Sequence, residues 1–577
     1  MLITRCDPVA RATPGAASWL AQARGLFART RWQTIVVGMV WAIMLAWVAS
    51  YVGRHGHNLP VCDEWAFVPI TYAPWSERIH WLGEPHMEHR FPLARIVWLC
   101  LLDVTRQDYR AGMWLTVLLN ASAALALIVA VRRLRGQTAL ADIGFPLLFL
   151  HPGHTENLLM GYQIAFTFTT FFLALFALLV SGAGNSTPAR CAVRGALLLI
   201  PMAMGGWLGL IFTLPLGGWV AWQLYRATDA RTQTRIAVAM VLIAVAAYFG
   251  WSVSETLHSR AAAGTDKPIA LAIRLRGVAE AAGIGLGPVA WARVSLAMHG
   301  WAVLSVELAT AIGLLTVGLR RREERPLAWG LLALLLGVWA FAMAVGYSRG
   351  TGIASRYSVF TAFGPVVTLL AAARYLWSPR RLDFMIVVVL IGAAYLGIKI
   401  YKHAHITAIS LDEFYRTAAR DAVTGMPIDV LAARHVDFWL KTPEGWEELW
   451  KHGFPLLMGV PAPSEAKPIP ARWHLQERQD GDLPVLHRYR VELDGTHRVA
   501  AIHVKICSDA QATWVPLEFE WVDRATGDVK HSIVYPWVPT RKLDTAFWID
   551  SPTDGGELRV INAGCNISIV GVAYTSR

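Results

Sequence analysis

The chain has 577 residues, of which 55% are hydrophobic and 16% are charged, and its formal net charge is +12. Soluble domains carry about 25% charged residues and disordered chains are poor in apolar residues, so this composition excludes both classes. The apolar first two thirds and the polar last third predict a multi-spanning membrane domain followed by a water-soluble domain. The excess of Lys and Arg is typical of cytoplasmic loops, so we expect no nucleic-acid partner.

Apolar runs that are long enough to cross a bilayer recur along the first 400 residues. A spanning helix needs about 20 mostly apolar residues. The segment 193–224 is apolar throughout but contains Gly205 and Gly206 at its middle, which predicts a hairpin of two short spans. With a shorter run at 140–150, the sequence predicts about eleven spans, at 34–52, 113–131, 140–150, 164–180, two within 193–224, 236–253, 301–319, 327–345, 359–373 and 384–400.

Arginine marks one side of the predicted membrane domain. If the N-terminus is cytoplasmic, the loops that face the cytoplasm all contain arginine, at 132–135, 190–194, 226–235, 320–325 and 374–381. This is the positive-inside pattern of inner-membrane proteins. An odd number of spans then places the C-terminal region outside, in the periplasm of a bacterium. A single span at 193–224 would turn the later arginine loops outward, so the charge bias favours the hairpin.

The composition divides the chain into four segments. We expect a cytoplasmic segment at 1–33, a transmembrane domain at 34–402, a helical connector at 403–470 and a periplasmic domain at 471–577. In the last segment, short runs of alternating polar and apolar residues are separated by turn signals, which is typical of an all-β sandwich. The predicted fold is therefore an α-helical polytopic membrane domain with a C-terminal β-sandwich.

The predicted outward loops contain most of the carboxylates and histidines that lie between the spans. Asp63 and Glu64 come some ten residues after the first span. A carboxylate at this position can act as a general base that takes a proton from an acceptor hydroxyl or amine. The alternative is that both are solvated loop acids. Trp65 and Phe67, which follow them, are typical of a loop held at the membrane interface and favour the first interpretation.

The same loop contains four ionisable residues within five positions, His86, Glu88, His89 and Arg90. His86 and His89 share one face of a helix, and with Glu88 they could bind a divalent metal. The spacing matches no known metal motif, and the six scattered cysteines add no ligand pattern. Structural hydrogen bonding, or contact of His89 and Arg90 with a ligand phosphate, therefore stays open beside a metal site formed by His86 and Glu88.

Two arginines follow a late span on the predicted outer side. Arg349 and Arg356 flank a Gly-Thr-Gly segment. Two guanidinium groups can bind a phosphate or pyrophosphate with paired hydrogen bonds. The alternative is that each side chain extends from the membrane toward the interface. The positive-inside rule disfavours arginine on this side, so arginines here are more informative than arginines in a cytoplasmic loop. Phosphate contact and the structural interpretation both stay open.

A second outward segment is also rich in polar side chains. It contains His151, His154, Glu156, Asn157 and Gln163. These side chains could contact a sugar or a phosphate. Equally, Thr155 or Asn157 suits the N-cap of the helix that follows, so that the segment would have a structural role.

This layout resembles the GT-C fold of oligosaccharyltransferases, protein O-mannosyltransferases and aminoarabinose transferases. It is also similar to a group of uncharacterised bacterial membrane proteins that are thought to be GT-C enzymes. The resemblance covers roughly residues 30–400 in topology, and the WWDYG signature of oligosaccharyltransferases is absent. In residues it rests on Asp63-Glu64, with support from Glu88-His89-Arg90, Glu156-Asn157, Tyr162-Gln163 and Arg349 to Tyr357.

The resemblance implies an inverting glycosyltransferase that uses a polyprenyl-phosphate-linked sugar. Asp63 would be the general base, and Glu64 is the next candidate for that role. Arg349 and Arg356 would hold the lipid phosphate, in one cavity with Asp63. The donor would enter laterally from the membrane, and a glycan, lipid or protein acceptor would come from the periplasmic side. Further contacts to the donor would come from Arg90, His89, Tyr357, Glu156, Asn157 and Gln163.

Three other functions remain open from the sequence. A polysaccharide ligase or polymerase that acts on a lipid-pyrophosphate-linked chain would use the same arginines. A transporter would need ionisable residues within the spans, where Glu307 and Lys399 are the exceptions in otherwise apolar segments. In a sugar-binding membrane scaffold, the β-sandwich would bind the ligand and the acidic pair would have no role.

Overall fold

The computed structural model describes most of the chain, with helices up to about residue 460 and β-strands after it. Within these elements, the side chains of some residues are left undescribed. The described residues are 16–86, 90–228, 230–263, 270–287, 295–376, 404–405, 408–409, 411–423, 426–435, 443–460, 469–479, 485–508, 517–524, 527, 529–535, 542–562 and 567–576.

Most of the described helices are long and apolar, and short helices and 3-10 turns connect them. The α-helices are α1 (Ala16–His55), α2 (Val68–Tyr72), α3 (Trp75–Gly83), α4 (Pro92–Val104), α5 (Arg110–Arg135), α6 (Gly144–Phe149), α7 (Thr155–Leu159), α8 (Ile164–Ser181), α9 (Pro188–Ala203), α10 (Gly206–Arg226), α11 (Thr232–Ala263), α12 (Leu271–Gly283), α13 (Leu296–Arg320), α14 (Arg325–Arg349), α15 (Ser358–Thr361), α16 (Phe363–Tyr375), α17 (residues 411–423), α18 (Ile428–Arg434) and α19 (Pro443–Lys451).

Eight helical segments within the described residues are long and apolar enough to cross a membrane. Each coincides with a predicted span, which confirms a multi-pass membrane protein in its general form. They are Trp32–His55, Arg110–Arg135, Gly161–Ser181, Gly206–Arg226, Thr232–Ser254, Leu296–Arg320, Arg322–Arg349 and Ser355–Tyr375.

The predicted total of eleven spans stays a prediction. Residues 140–150 form a 3-10 turn and the six-residue α6, which are too short to cross a hydrocarbon core of about 30 Å at about 1.5 Å per residue. This run is therefore wrong as a single spanning helix, and the outward placement of the C-terminal region, which needs an odd number of spans, stays a prediction. The predicted span at 384–400 lies outside the described residues.

The predicted break in the long apolar segment 193–224 is confirmed. Helix α9 ends at Ala203 and α10 begins at Gly206, which has a positive φ of 69°. The two helices pack against each other. A Cβ atom on Gly209 would lie 2.0 Å from the carbonyl oxygen of Met202, so the close return of the chain depends on glycine.

The chain divides into two compact units that are discontinuous in sequence. Unit 1 comprises Met1–Ser50, Val117–His154 and Phe166–Tyr401, and unit 2 comprises Tyr51–Thr116, Thr155–Ala165 and Lys402–Arg577. Unit 2 thus groups the first predicted outward loop with the connector and the strands. The predicted domain boundaries at 33, 402 and 470 stay a prediction.

Aromatic packing between helices forms the core of unit 1. Phe212 of α10 stacks on Phe341 of α14 at 5.9 Å between ring centroids, and Phe360 of α15 lies 4.8 Å from Phe341. Trp219 is buried and donates its indole N–H to the carbonyl of Pro326 at 2.9 Å. These contacts fix α10, α14 and α15 relative to one another, because aromatic pairs bury large areas in defined geometries.

Contacts between the first loop and the connector hold the helical part of unit 2. The rings of Trp65 and Trp446 lie 4.7 Å apart, and Tyr72 stacks on His452 at 4.0 Å. The carboxylate of Asp412 in α17 lies 2.8 Å from a ring nitrogen of His55 and 2.7 Å from one of His57. The connector is therefore an integral part of this unit.

The rest of unit 2 is one antiparallel sheet in the order β1-β7-β3-β6-β4-β5, with β2 beside β3. One half of the long strand β3 pairs with β2 and the other half with β7, and β6 pairs along both halves. The β-structure predicted for this region is confirmed, and its two-layer sandwich form stays a prediction. The strands are β1 (Ile469–Pro470), β2 (Arg472–Gln479), β3 (Val485–Ser508), β4 (Leu517–Asp523), β5 (Val529–Tyr535), β6 (Lys542–Asn562) and β7 (Ile567–Ser576).

The contact between α12 and α13 yields a stability prediction. A Cβ atom on Gly300 would lie 1.6 Å from the carbonyl oxygen of Ala279, whereas one on Gly313 in the same helix would meet nothing within 4 Å. We expect Gly300→Ala to destabilise unit 1 by about 1–3 kcal/mol, because the two helices must move apart. Gly313→Ala should leave stability unchanged or raise it by up to about 1 kcal/mol. Thermal unfolding in detergent compares them, and equal midpoints would contradict the predicted contact.

Candidate functional site

The acidic pair lies on a tight turn of unit 2. Cys62–Phe67 form a 3-10 helix, in which successive side chains point about 120° apart. Glu64 is only 1% exposed. Its carboxylate accepts the backbone N–H of Val61 at 2.9 Å and that of Tyr162 at 2.7 Å. Glu64 therefore joins the first loop to a segment almost a hundred residues later in the chain.

Burial changes the acidity of Glu64. Desolvation raises the pKa of its carboxyl group from 4.5 to about 8, although the backbone N–H groups of Tyr162 and Val61 oppose the shift. At neutral pH this group is mostly protonated, and a protonated carboxyl cannot accept a proton from a substrate. Glu64 is thus a poor base at neutral pH, and the assignment of Asp63 as the base stays a prediction.

Asp63 is the more exposed member of the pair. Its side chain is 37% exposed, and Oδ2 lies 3.5 Å from Nε2 of His86. The His86 ring packs edge-on against Phe67, with 5.0 Å between centroids. The carboxylate thus combines access to solvent with a nearby imidazole ring.

A buried arginine lies beside this turn and was not singled out from the sequence. Arg95 is 1% exposed, and its guanidinium carbon lies 4.1 Å from the Trp81 ring and 5.9 Å from the Phe67 ring. Nη1 donates to the carbonyl oxygens of Trp81 and Glu84. The available sequence signal is an arginine on the apolar stripe of α4, a position where charge is rare unless it is paired.

The metal hypothesis stays a prediction. Glu88 and His89 lie outside the described residues, and Arg90 is partly buried. Within the part of the chain that the structure describes, no group of three or more His, Cys, Asp or Glu side chains could hold a metal ion. The described neighbours of His86 include Asp63 and Phe67, and its Nε2 makes no hydrogen bond to them, at 3.5 Å from Asp63 Oδ2.

The segment 155–165 of unit 2 contributes buried rather than open polar groups. Asn157 is fully buried and Gln163 is 6% exposed, whereas Glu156 is partly exposed. Thr155 Oγ1 lies 2.8 Å from the hydroxyl of Tyr51. Glu156, Asn157 and Gln163 are predicted to contact the lipid-linked sugar, and Glu156 is the most exposed of them. All three assignments stay predictions.

The two predicted phosphate-binding arginines lie against the same tyrosine of unit 1. Arg349 ends α14 and Arg356 lies in the 3-10 turn Ser355–Tyr357. Their guanidinium carbons lie 5.8 Å and 5.7 Å from the ring centroid of Tyr357, which is buried. The structure therefore brings these three predicted residues together.

A carboxylate that the sequence did not reveal supports the glycine turn between the arginines. Glu280 of α12 is 5% exposed. One of its carboxylate oxygens accepts the backbone N–H of Gly352 at 3.0 Å and the other accepts Nε of Arg276 at 2.9 Å. Because Gly352 has a positive φ of 79°, this turn needs glycine, and the bond to Glu280 holds it in place.

The two parts of the predicted site belong to different units. Asp63, Glu64, His86 and Arg90 are in unit 2, and the two arginines with Tyr357 are in unit 1. That Asp63 shares one cavity with both arginines therefore stays a prediction.

The comparison with solved structures found the cryo-EM structure of the arabinofuranosyltransferase AftD from Mycobacteria. The two chains are 12% identical, and the match covers 94% of this chain but only 61% of the AftD chain, with a TM-score of 0.27. The chain thus spans less than two thirds of that protein. No family model and no curated protein matches the sequence. A TM-score of this size does not establish a common fold, so the function must be argued from the residues.

The raised pKa of Glu64 predicts a pH-dependent stability. Between its unfolded pKa near 4.5 and its folded pKa of about 8, the folded protein keeps a proton that the unfolded chain releases, so stability falls as pH rises. The loss is at most about 1.4 kcal/mol per pH unit. Glu64→Gln cannot titrate, so this component should disappear from its thermal-unfolding profile between about pH 5 and about pH 8.

Glu77→Gln is the matched control for that measurement, because Glu77 is an exposed acid of the same loop. It should keep the pH dependence of the native sequence. Parallel profiles for the native protein and Glu64→Gln would show that Glu64 is ionised in the folded state.

Proposed function

We propose that this protein is a membrane glycosyltransferase of GT-C type, which moves a sugar from a polyprenyl-phosphate-linked donor to a periplasmic glycan, lipid or protein. One observation carries the proposal. A buried, backbone-bonded Glu64 fixes a turn on which the neighbouring Asp63 is left accessible beside His86. An accessible carboxylate with a fixed position is what a general base requires.

The proposed reaction assigns one step to this carboxylate. As an acceptor hydroxyl attacks the anomeric carbon of the donor, Asp63 takes the hydroxyl proton. A new glycosidic bond forms on the face opposite the phosphate, and the bond from the anomeric carbon to the phosphate oxygen breaks. The anomeric centre is inverted, and the polyprenyl phosphate leaves with the bonding electrons.

Arg349 and Arg356 are proposed to stabilise the leaving phosphate. Their two guanidinium groups lie against one buried ring, and guanidinium groups bind phosphate oxygens with directed, paired hydrogen bonds. Charge that develops on the phosphate during bond cleavage would be offset there. Arg90, partly buried in unit 2, is the proposed third cation.

The proposed setting is the inner membrane of a bacterium. Eight candidate spans provide a route for a lipid-linked donor to enter laterally. The arginine-rich loops suit a cytoplasmic N-terminus, and residues 403–577, including the proposed β-sandwich, would be periplasmic. A ligase or polymerase that acts on a pyrophosphate-linked chain is the alternative that uses the same cations.

The test of the proposal is transfer of labelled sugar from polyprenyl-phosphate donors by the purified protein in nanodiscs. Asp63→Asn should reduce turnover by about 100-fold or more, the usual contribution of a general base. Glu64→Gln should lose less activity than Asp63→Asn near neutral pH, because the native side chain is already protonated there. Some loss is expected, because the amide nitrogen cannot accept one of the two backbone N–H groups.

Glu77→Gln again serves as a control that should behave as the native protein does. Full turnover by Asp63→Asn, with unchanged donor binding, would contradict the assignment of Asp63. Activity with pyrophosphate-linked donors alone would favour the ligase alternative.

The proposed topology is tested by cysteine accessibility in intact cells. A membrane-impermeant maleimide should label Thr545→Cys in β6 from the periplasm and should not label Glu323→Cys in the arginine-rich turn after α13. Labelling of Glu323→Cys alone would place residues 403–577 in the cytoplasm. An acceptor could then not reach them from the periplasm.

A further inference from the structure

Two buried histidines of unit 1 stack on each other at the end of a short helical segment. The rings of His151 and His154 lie 4.1 Å apart and are inclined by 28°. His151 is 6% exposed and His154 is 1% exposed. Burial lowers the pKa of both imidazoles, that of His154 to about 4, so both rings are neutral at physiological pH.

The hydrogen bonds of His154 fix its tautomer and use both nitrogens. Nε2 lies 2.8 Å from the carbonyl oxygen of Leu148, which can only accept, so Nε2 carries the proton. Nδ1 is then an acceptor, and it lies 2.8 Å from the hydroxyl of Ser358, which donates to it. His154 therefore ties its own segment to the start of α15 and has no nitrogen left for a ligand.

His151 has the opposite arrangement. Its Nδ1 accepts the backbone N–H of Gly153 at 3.0 Å, so the proton of this neutral ring is on Nε2. Within the described part of the chain, Nε2–H has no hydrogen-bond partner. An N–H donor of this kind can bind an acceptor oxygen of a ligand or of water.

The surroundings indicate what that acceptor is. The turn Pro152–His154 packs against the turn Ser355–Tyr357, and the bond from His154 to Ser358 fixes this contact. The second turn carries Arg356 and the tyrosine that both arginines contact. The segment next to His151 thus packs beside the turn that carries Arg356, where an anionic oxygen is the complementary acceptor.

We infer that His151 is a ligand-binding residue whose Nε2–H donates to a phosphate oxygen of the polyprenyl phosphate held by Arg349 and Arg356. This inference rests on the proposed function. The arginines supply charge, whereas the uncharged imidazole adds a directed hydrogen bond from a ring that stacking on His154 holds in place. His154 is a positioning residue that acts through His151 and Ser358.

Three substitutions of His151 distinguish the contribution of Nδ1 from that of Nε2. His151→Gln places an amide N–H near the position of Nε2 and keeps a donor there. His151→Asn keeps an acceptor near the position of Nδ1 and loses the outer donor. His151→Phe keeps the ring stack and loses both groups. Undecaprenyl phosphate in nanodiscs is the probe, and its affinity is measured together with the thermal-unfolding midpoint of each variant.

We expect His151→Asn and His151→Phe to bind undecaprenyl phosphate about 10-fold or more weakly, the value of one hydrogen bond to a charged acceptor. His151→Gln should bind within about 3-fold of the native protein, because one neutral hydrogen-bond donor replaces another. The affinity of the native protein should not depend on His151 titration between about pH 6 and about pH 8, because the pKa of this ring is lowered well below 6.5.

The outcomes that overturn the inference are distinct from failure of the proposed function. If the native protein does not bind undecaprenyl phosphate, the proposed function itself fails. If it binds and all three variants bind equally well, only the role of His151 is wrong. Weaker binding by all three variants, with lowered unfolding midpoints, would assign His151 to folding. An effect confined to sugar-bearing donors would place the acceptor on the sugar and overturn the phosphate assignment.

Discussion

The geometry of the candidate site depends on one buried carboxyl group. Glu64 is surrounded by protein, and its oxygens accept backbone N–H groups of Val61 and Tyr162. Losing these bonds would leave buried donors unpaired, so the turn that contains Glu64 has one stable position. On a 3-10 turn the preceding side chain must point elsewhere, and Asp63 is accordingly the accessible acid. Two adjacent carboxylates thus differ in exposure because their surroundings differ, and different roles are proposed for them.

The same principle organises two turns of unit 1. His154 is saturated by Leu148 and Ser358, while Glu280 is saturated by Gly352 and Arg276. These bonded groups fix two turns whose other side chains include the proposed ligand contacts. In this pattern, buried polar groups hold the backbone of the turns, and neighbouring polar groups are the proposed ligand contacts. For this reason a positioning role is proposed for His154 and a ligand-binding role for the neighbouring His151.

The sequence predicted those features that depend on local patterns. Apolar length located eight helices that are candidate spans, Gly205 and Gly206 located the break between α9 and α10, and alternation located the strands. One run, 140–150, was wrong as a single span, because it forms a 3-10 turn and a six-residue helix that are too short to cross a bilayer. In the candidate site, the proximity of Arg349, Arg356 and Tyr357 followed from their closeness in the chain.

What the sequence did not predict depends on contacts between distant residues. The burial of Glu64 involves Tyr162, 98 positions away, and the tautomer of His154 is set together with Ser358, 204 positions away. Nor does composition reveal that the first loop belongs with the connector, since His55 and His57 meet Asp412 only in the folded chain. The residue types in the sequence therefore indicated which residues could form the site, but not which role each of them has.

The central claim is that Asp63 acts on a sugar whose lipid phosphate lies at Arg349 and Arg356. A cryo-EM structure with a non-transferable polyprenyl-phosphate-sugar analogue tests it most directly. The account predicts phosphate density against both guanidinium groups and the anomeric carbon close enough to Asp63 for one acceptor hydroxyl to bridge them. Phosphate density more than about 15 Å from the Asp63 carboxylate, beyond the reach of one bound phosphosugar, would contradict it.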